Sequence, residues 1–482
     1  MLAVRRSKNL WSIGVVALVL CYSFYFSWLT VGVHQGLGSS AYDFGLYDQG
    51  IWLLSRGNSP FVTLMGRNLF GDHSSFVLLF VVPIYWISSS TSVLFVIQSV
   101  ALGLGAVPLY AYSRKALNSD AMGFVLAAAY LAHPAVGLTN IENFHPDSFL
   151  GLLIGMVLWS ALERKWNWYW TSVVLALLVK EDVALIVIPI GLWVALRRDV
   201  RRGLWTVVLS IATMALMFLV VMRSFTGVAF RNSWRIPFGG FSGLFQVAFR
   251  QPQELWKYFT SEDRPTYLLH LLSPTALAFV FAPSVALTGA VVIGANLLST
   301  FWYQHQIGYH YSLVIVPSLM FGTAYGIARV PSAFRKRIVG AVAVCSLAFG
   351  YWLSPLPFAR STVGDWSASN PSVIAARELF AVIPNEAVVS AYHPLTAQLA
   401  RRERIYSFPN PFQRSLYGVD VFARGDRLPF AEEIEYVMLP AVLDEAASEV
   451  WSQESGRFRI VGSNAWWIVY KRLSSCYIFA GR

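Results

Sequence analysis

LWSIGVVALVLCYSFYFSWLTVGV (residues 10–33) is followed, after five residues, by SSAYDFGLYDQGIWLLSRGN (residues 39–58). The first stretch carries no charge and matches the roughly 20 apolar residues that a helix needs to cross a bilayer. It is too long for the apolar core of a signal peptide, and no convincing small-residue cleavage site follows, so it reads as a retained span. The second stretch places two carboxylates, Asp43 and Asp48, just past the end of that span. Ionisable groups beside a bilayer are costly to keep and mark function more often than chance allows.

The rest of the chain supports a membrane reading. Of 482 residues 56% are hydrophobic and only 13% charged, with 18 Trp and 22 Tyr. The mean hydropathy of +0.52 excludes an ordinary soluble globule. Three cysteines, two of them inside apolar runs, exclude a disulfide framework. The net charge of +11 could point to nucleic acid, but in a membrane protein basic residues gather at cytoplasmic loop ends, so no nucleic-acid partner is expected.

Five basic clusters set the expected topology: Arg5-Arg6-Lys8, Arg114-Lys115, Arg164-Lys165, Arg197-Arg198-Arg201-Arg202 and Arg329-Arg335-Lys336-Arg337. With all five in the cytoplasm, about eleven transmembrane helices follow, at 10–33, 91–112, 121–136, 148–162, 168–179, 183–196, 204–221, 267–281, 284–301, 309–327 and 338–353. The N-terminus then lies inside and the C-terminus outside. Residues 74–87 fit only as a re-entrant or interfacial helix in a first outer loop, 34–90. Beyond residue 353 the charge density becomes ordinary. Short β-type runs (EAVVSAY, IEYVMLP, WWIVYKR) alternate with helix-like stretches (VIAARELFAVI, LDEAASEVWSQE), which predicts a small extracytoplasmic α/β domain at 354–482. The expected architecture is thus an α-helical polytopic membrane domain (1–353) followed by that domain.

Lys and Arg alone decided this orientation, yet it gathers the unusual polar residues on the outer side: Asp43, Asp48, Asp72, His73, Glu142, His145, Asp147, Lys180, Glu181, Asp182, His305 and His310. Each has a structural and a functional reading. Ser40-x-x-Asp43 has the form of a capping box, and Phe44, Tyr47, Ile51 and Leu54 give one apolar face, so 39–56 reads as an amphipathic interfacial helix stopped by Gly57. Asp43 either caps that helix or serves as a general base at the low-dielectric edge of the bilayer. In NLFGDHSSFVLLFVVPIYW, Asp72 or Ser74 caps the re-entrant helix, or Asp72-His73 serves a site. In NIENFHPDSF, Asp147 caps a helix, or Glu142, His145 and Asp147 together hold a metal, a phosphate or a proton. In LLVKEDVALIV, Lys180, Glu181 and Asp182 form a salt-bridged hairpin apex, or Lys180 holds a phosphate as a point charge. FWYQHQIGYHYS sets His305 and His310 among aromatics of the interface type. Their spacing matches no known zinc pattern.

The arrangement resembles the GT-C class of membrane glycosyltransferases. YDFGLYDQGIW, GDHSSF…VPIYW, NFHPDSF, KEDVAL and RRERIYSFPNP together resemble an uncharacterised bacterial and archaeal family of predicted membrane proteins grouped with that class, over residues 42–411. The resemblance implies transfer of a sugar from a polyprenyl-phosphate donor to a glycan, lipid or protein acceptor, outside the cell membrane and with inversion. It implies Asp43 as the catalytic base and Asp147 as the second-loop acid, with Asp48 orienting the acceptor or a neighbouring cation. Lys180, Arg56, Arg67 and His310 are the candidate cations for the departing lipid phosphate. His73, Glu142, His145, Glu181, Asp182 and His305 complete the expected binding residues. His145-Pro146-Asp147 replaces the paired acids of metal-dependent oligosaccharyltransferases, so no cofactor is assigned and a divalent metal stays open. The competing class is a lipid or solute transporter, disfavoured by the absence of an evident repeat and by ionisable residues gathered at one face.

Overall fold

The computed structural model describes residues 2–88, 90–364, 366–415 and 425–473, with side chains from Leu10 onward. The side chains of Arg5, Arg6 and Lys8, and Cys476, lie outside what is described. Contacts divide the chain into two units: residues 1–28, 73–77 and 95–363, and residues 29–72, 78–94 and 364–482. By contacts, most of the first-loop segments group with the C-terminal residues.

Helix dominates the first unit and its flanks. Four helices are long and apolar enough to cross a membrane: Leu10–Gln35, Val93–Ala116, Val200–Thr226 and Ser332–Leu353. A fifth candidate is the pair Asp120–Ala132 and Pro134–Glu142, bent by 42°. The bend has a local cause. Pro134 lacks an N–H and its ring crowds the preceding turn, and the Nδ1 of His133 accepts from the N–H of Ala135 to start the second helix afresh (3.2 Å). The other expected spans are shorter helices, such as Ala184–Arg197 and Ala290–Leu298, or are broken, as at Ser273–Thr275. At about 1.5 Å per residue such helices fall short of the roughly 30 Å hydrocarbon core. Of the roughly eleven expected transmembrane helices, four or five among the described residues are long and apolar enough to cross by themselves. Residues 74–87 form a short turn and the helix Val82–Ile87, too brief to cross.

Glycines set the closest helix crossing. Ala184–Arg197 and Val200–Leu216 form a tight hairpin in which Gly203 lies against the backbone of Ala195 and Gly191. A Cβ on Gly203 would stand 2.2 Å from the Ala195 nitrogen.

The second unit is built on a five-stranded sheet. In chain order its elements are β1 (Phe61–Val62), β2 (Arg67–Asn68), β3 (Val389–Ala391), β4 (Ile405–Ser407), β5 (Tyr436–Pro440), β6 (Phe458–Ser463) and β7 (Trp467–Arg472). β1 and β2 pair as a separate hairpin, and the sheet runs β4-β3-β5-β7-β6. β3 is parallel to β4 and β5, while β7 is antiparallel to β5 and β6. The expected strands and helices of the tail are all present, the helices as Pro371–Phe380 and Glu445–Glu454. β4 and β6 were not expected. One core, with Phe408, Phe412, Val437, Leu439, Trp451 and Phe458, packs the sheet against Glu445–Glu454.

Hydrogen bonds explain why the first loop joins this unit. The Thr63 hydroxyl donates to the Ile405 carbonyl (2.6 Å) and accepts from the Ile405 N–H (2.9 Å), so it stands in for a neighbouring strand at the open edge of β4. The Gln49 amide donates to the Arg402 and Glu403 carbonyls and to Thr63. The expected helix at 39–56 is a π-helical turn, Ala41–Gly45, running into Leu46–Ser55. It is buried on more than its apolar face, since Asp48 and Gln49 have no exposed surface. Gly57 ends it with φ +77°, a conformation that disfavours any side chain.

Candidate functional site

Three helices of the first unit, Leu150–Leu162, Ala184–Arg197 and Val316–Ile327, are each entered through a 3-10 turn. The turns are Pro146–Phe149, Glu181–Val183 and His310–Ile315. Helix N-termini carry unsatisfied N–H groups and the positive end of the dipole. The unusual ionisable residues sit on or beside these turns, and Glu142 arrives at the end of the bent helix.

Glu142 and His310 form the centre. The backbone N–H of His310 donates to Glu142 Oε2 (2.7 Å), and its ring Nδ1 lies 3.0 Å from Oε1. The His145 ring stacks on that of His310, with centroids 3.8 Å apart and planes at 21°. His145 Nε2 is 3.6 Å from Glu142 Oε1. Burial, and then the neighbouring His310 ring, lower the His145 pKa to about 3, so its imidazole is neutral.

Lys180 and Asp147 pair across two of the turns, Nζ to Oδ2 at 3.8 Å, both buried. The ammonium also lies 5.6 Å from the centre of the Tyr311 ring. Burial opposes its charge, but Asp147 and then Asp182 outweigh it and hold its pKa above the usual lysine value. The apex salt bridge within Lys180-Glu181-Asp182 is thus not what forms. Glu181 instead accepts the Ser74 N–H (3.0 Å) and lies 2.7 Å from His73 Nδ1, so it ties residues 73–74 to the cluster. Asp147 does not cap its helix, because its carboxylate faces Lys180. Asp182 is exposed and lines, with Asp147, Asn296, Gln304 and Tyr311, the polar end of a cavity of about 50 Å³ whose other walls are aliphatic.

The structure therefore brings together His73, Glu142, His145, Asp147, Lys180, Glu181, Asp182 and His310. His305 is not among them. It is buried, with its Nε2 3.4 Å from Glu262.

The remaining expected residues lie in the second unit. Asp43 is half-buried on the turn Ala41–Gly45, entered through Ser40, whose hydroxyl accepts the Tyr42 N–H (3.1 Å). Asp48 is fully buried. It accepts from the Tyr85 hydroxyl (2.6 Å) and from Arg401 Nε (3.1 Å), while Arg401 also reaches the Ser90 carbonyl (2.7 Å). Burial raises the Asp48 pKa and Arg401 opposes the rise. The Asp48 carboxylate has no accessible surface and both its partners are internal, the environment of a buried ion pair. Arg67 pairs with Asp72 (3.0 Å) and donates to the Met65 carbonyl, so the β1–β2 hairpin engages it. Arg56 is exposed, with its guanidinium 5.7 Å from the Trp52 ring centre.

Sequence reasoning missed Gln98 and Tyr311. Gln98 has no exposed surface; its carbonyl oxygen accepts the His145 N–H, and its amide donates to the carbonyls of Thr139, Asn140 and Asn143. It holds the loop that presents His145. A lone amide in an otherwise apolar helix was the available signal. Tyr311 was masked by the aromatic belt around it.

These features belong to a largely helical membrane protein, and its fold is similar to that of solved ArnT structures. The chain matches the structure titled as that of ArnT from Cupriavidus metallidurans bound to undecaprenyl phosphate, with a TM-score of 0.57 and 12% identity, over 96% of this chain and 98% of that one. The apo form of the same protein matches with a TM-score of 0.55 and 12% identity, over 96% and 99%. The chain belongs to the family described as "Predicted membrane protein (DUF2079)", which matches residues 33–470. No protein of curated function matches it by sequence.

Proposed function

We propose that the protein is a glycosyltransferase that moves a sugar from a polyprenyl-phosphate donor to an acceptor on the extracytoplasmic face of the membrane. The observation that carries this reading is the buried Lys180 ammonium, held charged between Asp147 and Tyr311 at three helix N-termini, in a chain whose fold is similar to that of ArnT. The matched ArnT structure holds undecaprenyl phosphate, and a carrier phosphate is the anion such a site suits.

In the proposed reaction an acceptor hydroxyl attacks the anomeric carbon. The bond from that carbon to the phosphate oxygen breaks, and its electron pair leaves with the lipid phosphate. Lys180 and the N–H groups of the turns stabilise the departing anion, and their alignment before reaction is what makes them effective. Inversion follows from the single displacement. The base that takes the hydroxyl proton is proposed to be Asp43, on the resemblance of its YDFGLYDQGIW segment. The proposed orientation keeps the N-terminus cytoplasmic and the C-terminus outside, with a glycan, lipid or protein as acceptor.

The test is binding of undecaprenyl phosphate to the purified protein in detergent. Lys180→Ala removes a charged partner worth about 1.5–3 kcal/mol, which corresponds to weakening by roughly 10- to 150-fold. Unchanged affinity in a folded Lys180→Ala variant overturns the assignment.

A further inference from the structure

We infer that Glu142, His145 and His310 form a binding site for one divalent transition ion of the zinc class. Each residue offers one ligand atom, and these atoms lie within 4.8 Å of one another. Two of the spacings already approach the roughly 3.3 Å between ligands that Zn–N and Zn–O bonds of about 2.0–2.1 Å produce in a tetrahedron. They are Glu142 Oε1 to His310 Nδ1 at 3.0 Å and Glu142 Oε1 to His145 Nε2 at 3.6 Å. To direct both nitrogens at one ion, the stacked rings must splay apart.

Two further features favour an ion. Two imidazoles and one carboxylate form the donor set of open zinc centres, with a fourth position left for water or substrate. Nitrogen donors disfavour Mg²⁺ and Ca²⁺, which take oxygen. The supports are also in place: Gln98 fixes the His145 backbone, and the His310 N–H fixes one oxygen of Glu142. Outer contacts of this kind set the orientation of metal ligands. In sequence His310 lies far from the Glu142–His145 pair and the set follows no zinc spacing, so only the fold assembles it.

The site does not rest on the proposed transfer reaction, and its test uses no sugar or lipid. The untagged full-length protein, purified in detergent and stripped with a chelator, is titrated with Zn²⁺ alone and with Mg²⁺ alone, and retained metal is measured by mass spectrometry. The expected result is one zinc per chain and no retained magnesium. His145→Asn and His310→Asn should each weaken zinc by at least about 100-fold, the upper end of what loss of a mere outer-sphere partner costs. His305→Asn should leave zinc content unchanged. Because a cluster variant could fail to fold, Co²⁺ is also loaded into the wild-type protein, where the visible bands of a low-coordinate nitrogen–oxygen site are expected. Zinc retained equally by folded His145→Asn and His310→Asn overturns the site, as does a wild-type protein that takes up neither Zn²⁺ nor Co²⁺.

Discussion

Lys180 and Asp48 show how two charges that look alike in a sequence acquire opposite meanings. Both flank apolar runs near a membrane. Asp48 is enclosed by Tyr85 and Arg401 and has no exposed surface. Removing one member of a buried pair leaves the other uncompensated, which costs about 3–5 kcal/mol. Asp48→Asn should therefore lower the melting temperature of the detergent-solubilised protein sharply, and Arg401→Met should do the same. A variant that melts like wild type contradicts the buried ion pair. Asp43→Asn should behave differently. If Asp43 is the base, transfer from a lipid-phosphate sugar falls by about 10²- to 10⁴-fold, and melting changes by no more than the roughly 0.5–2 kcal/mol of a lost cap. Substantial transfer by Asp43→Asn removes it from the mechanism and makes Asp147 the next residue to test.

At the scale of elements, small contacts decide which segments belong together. Thr63 satisfies both the N–H and the carbonyl of Ile405 and so closes the edge of β4. Thr63→Val keeps the shape but strands those two buried groups, at about 1–3 kcal/mol each. Proteolysis should then cleave near residues 401–407 at lower denaturant than in wild type, and an unchanged cleavage pattern would show that β4 does not depend on the hairpin. Gly203 is the counterpart among the helices. Gly203→Ala drives a methyl into the Ala195 backbone and should cost at least the roughly 1–3 kcal/mol of an overpacked core, read as lower thermal stability. Wild-type stability would mean that the crossing relaxes freely.

At the scale of the whole molecule, the proposed orientation can be read on intact cells. In a background with the native cysteines replaced by serine, a cysteine at the exposed Val442 should react with a membrane-impermeant reagent. One at Arg201 should react only after the cells are opened, since basic clusters stay inside. The reverse pattern inverts the topology and moves every ionisable residue of the cluster to the cytoplasmic face.

Much of this architecture was legible in the residues themselves. Hydropathy marks spans because unpaired backbone cannot rest in lipid, and the strands around Val389, Val437 and Val469 announced themselves by β-branched residues between polar turns. The same local reasoning picked out NFHPDSF, KED and the His310 stretch as unusual, because charge beside apolar runs is expensive wherever it occurs. Partnership was not legible. Whether Asp147 caps its own helix or faces Lys180, whether Glu181 holds its neighbours or His73, and whether Glu142 meets His310 are decided between segments more than thirty residues apart. Sequence pattern reports the cost of placing a group near the membrane, and only the tertiary fold supplies the partner that offsets it.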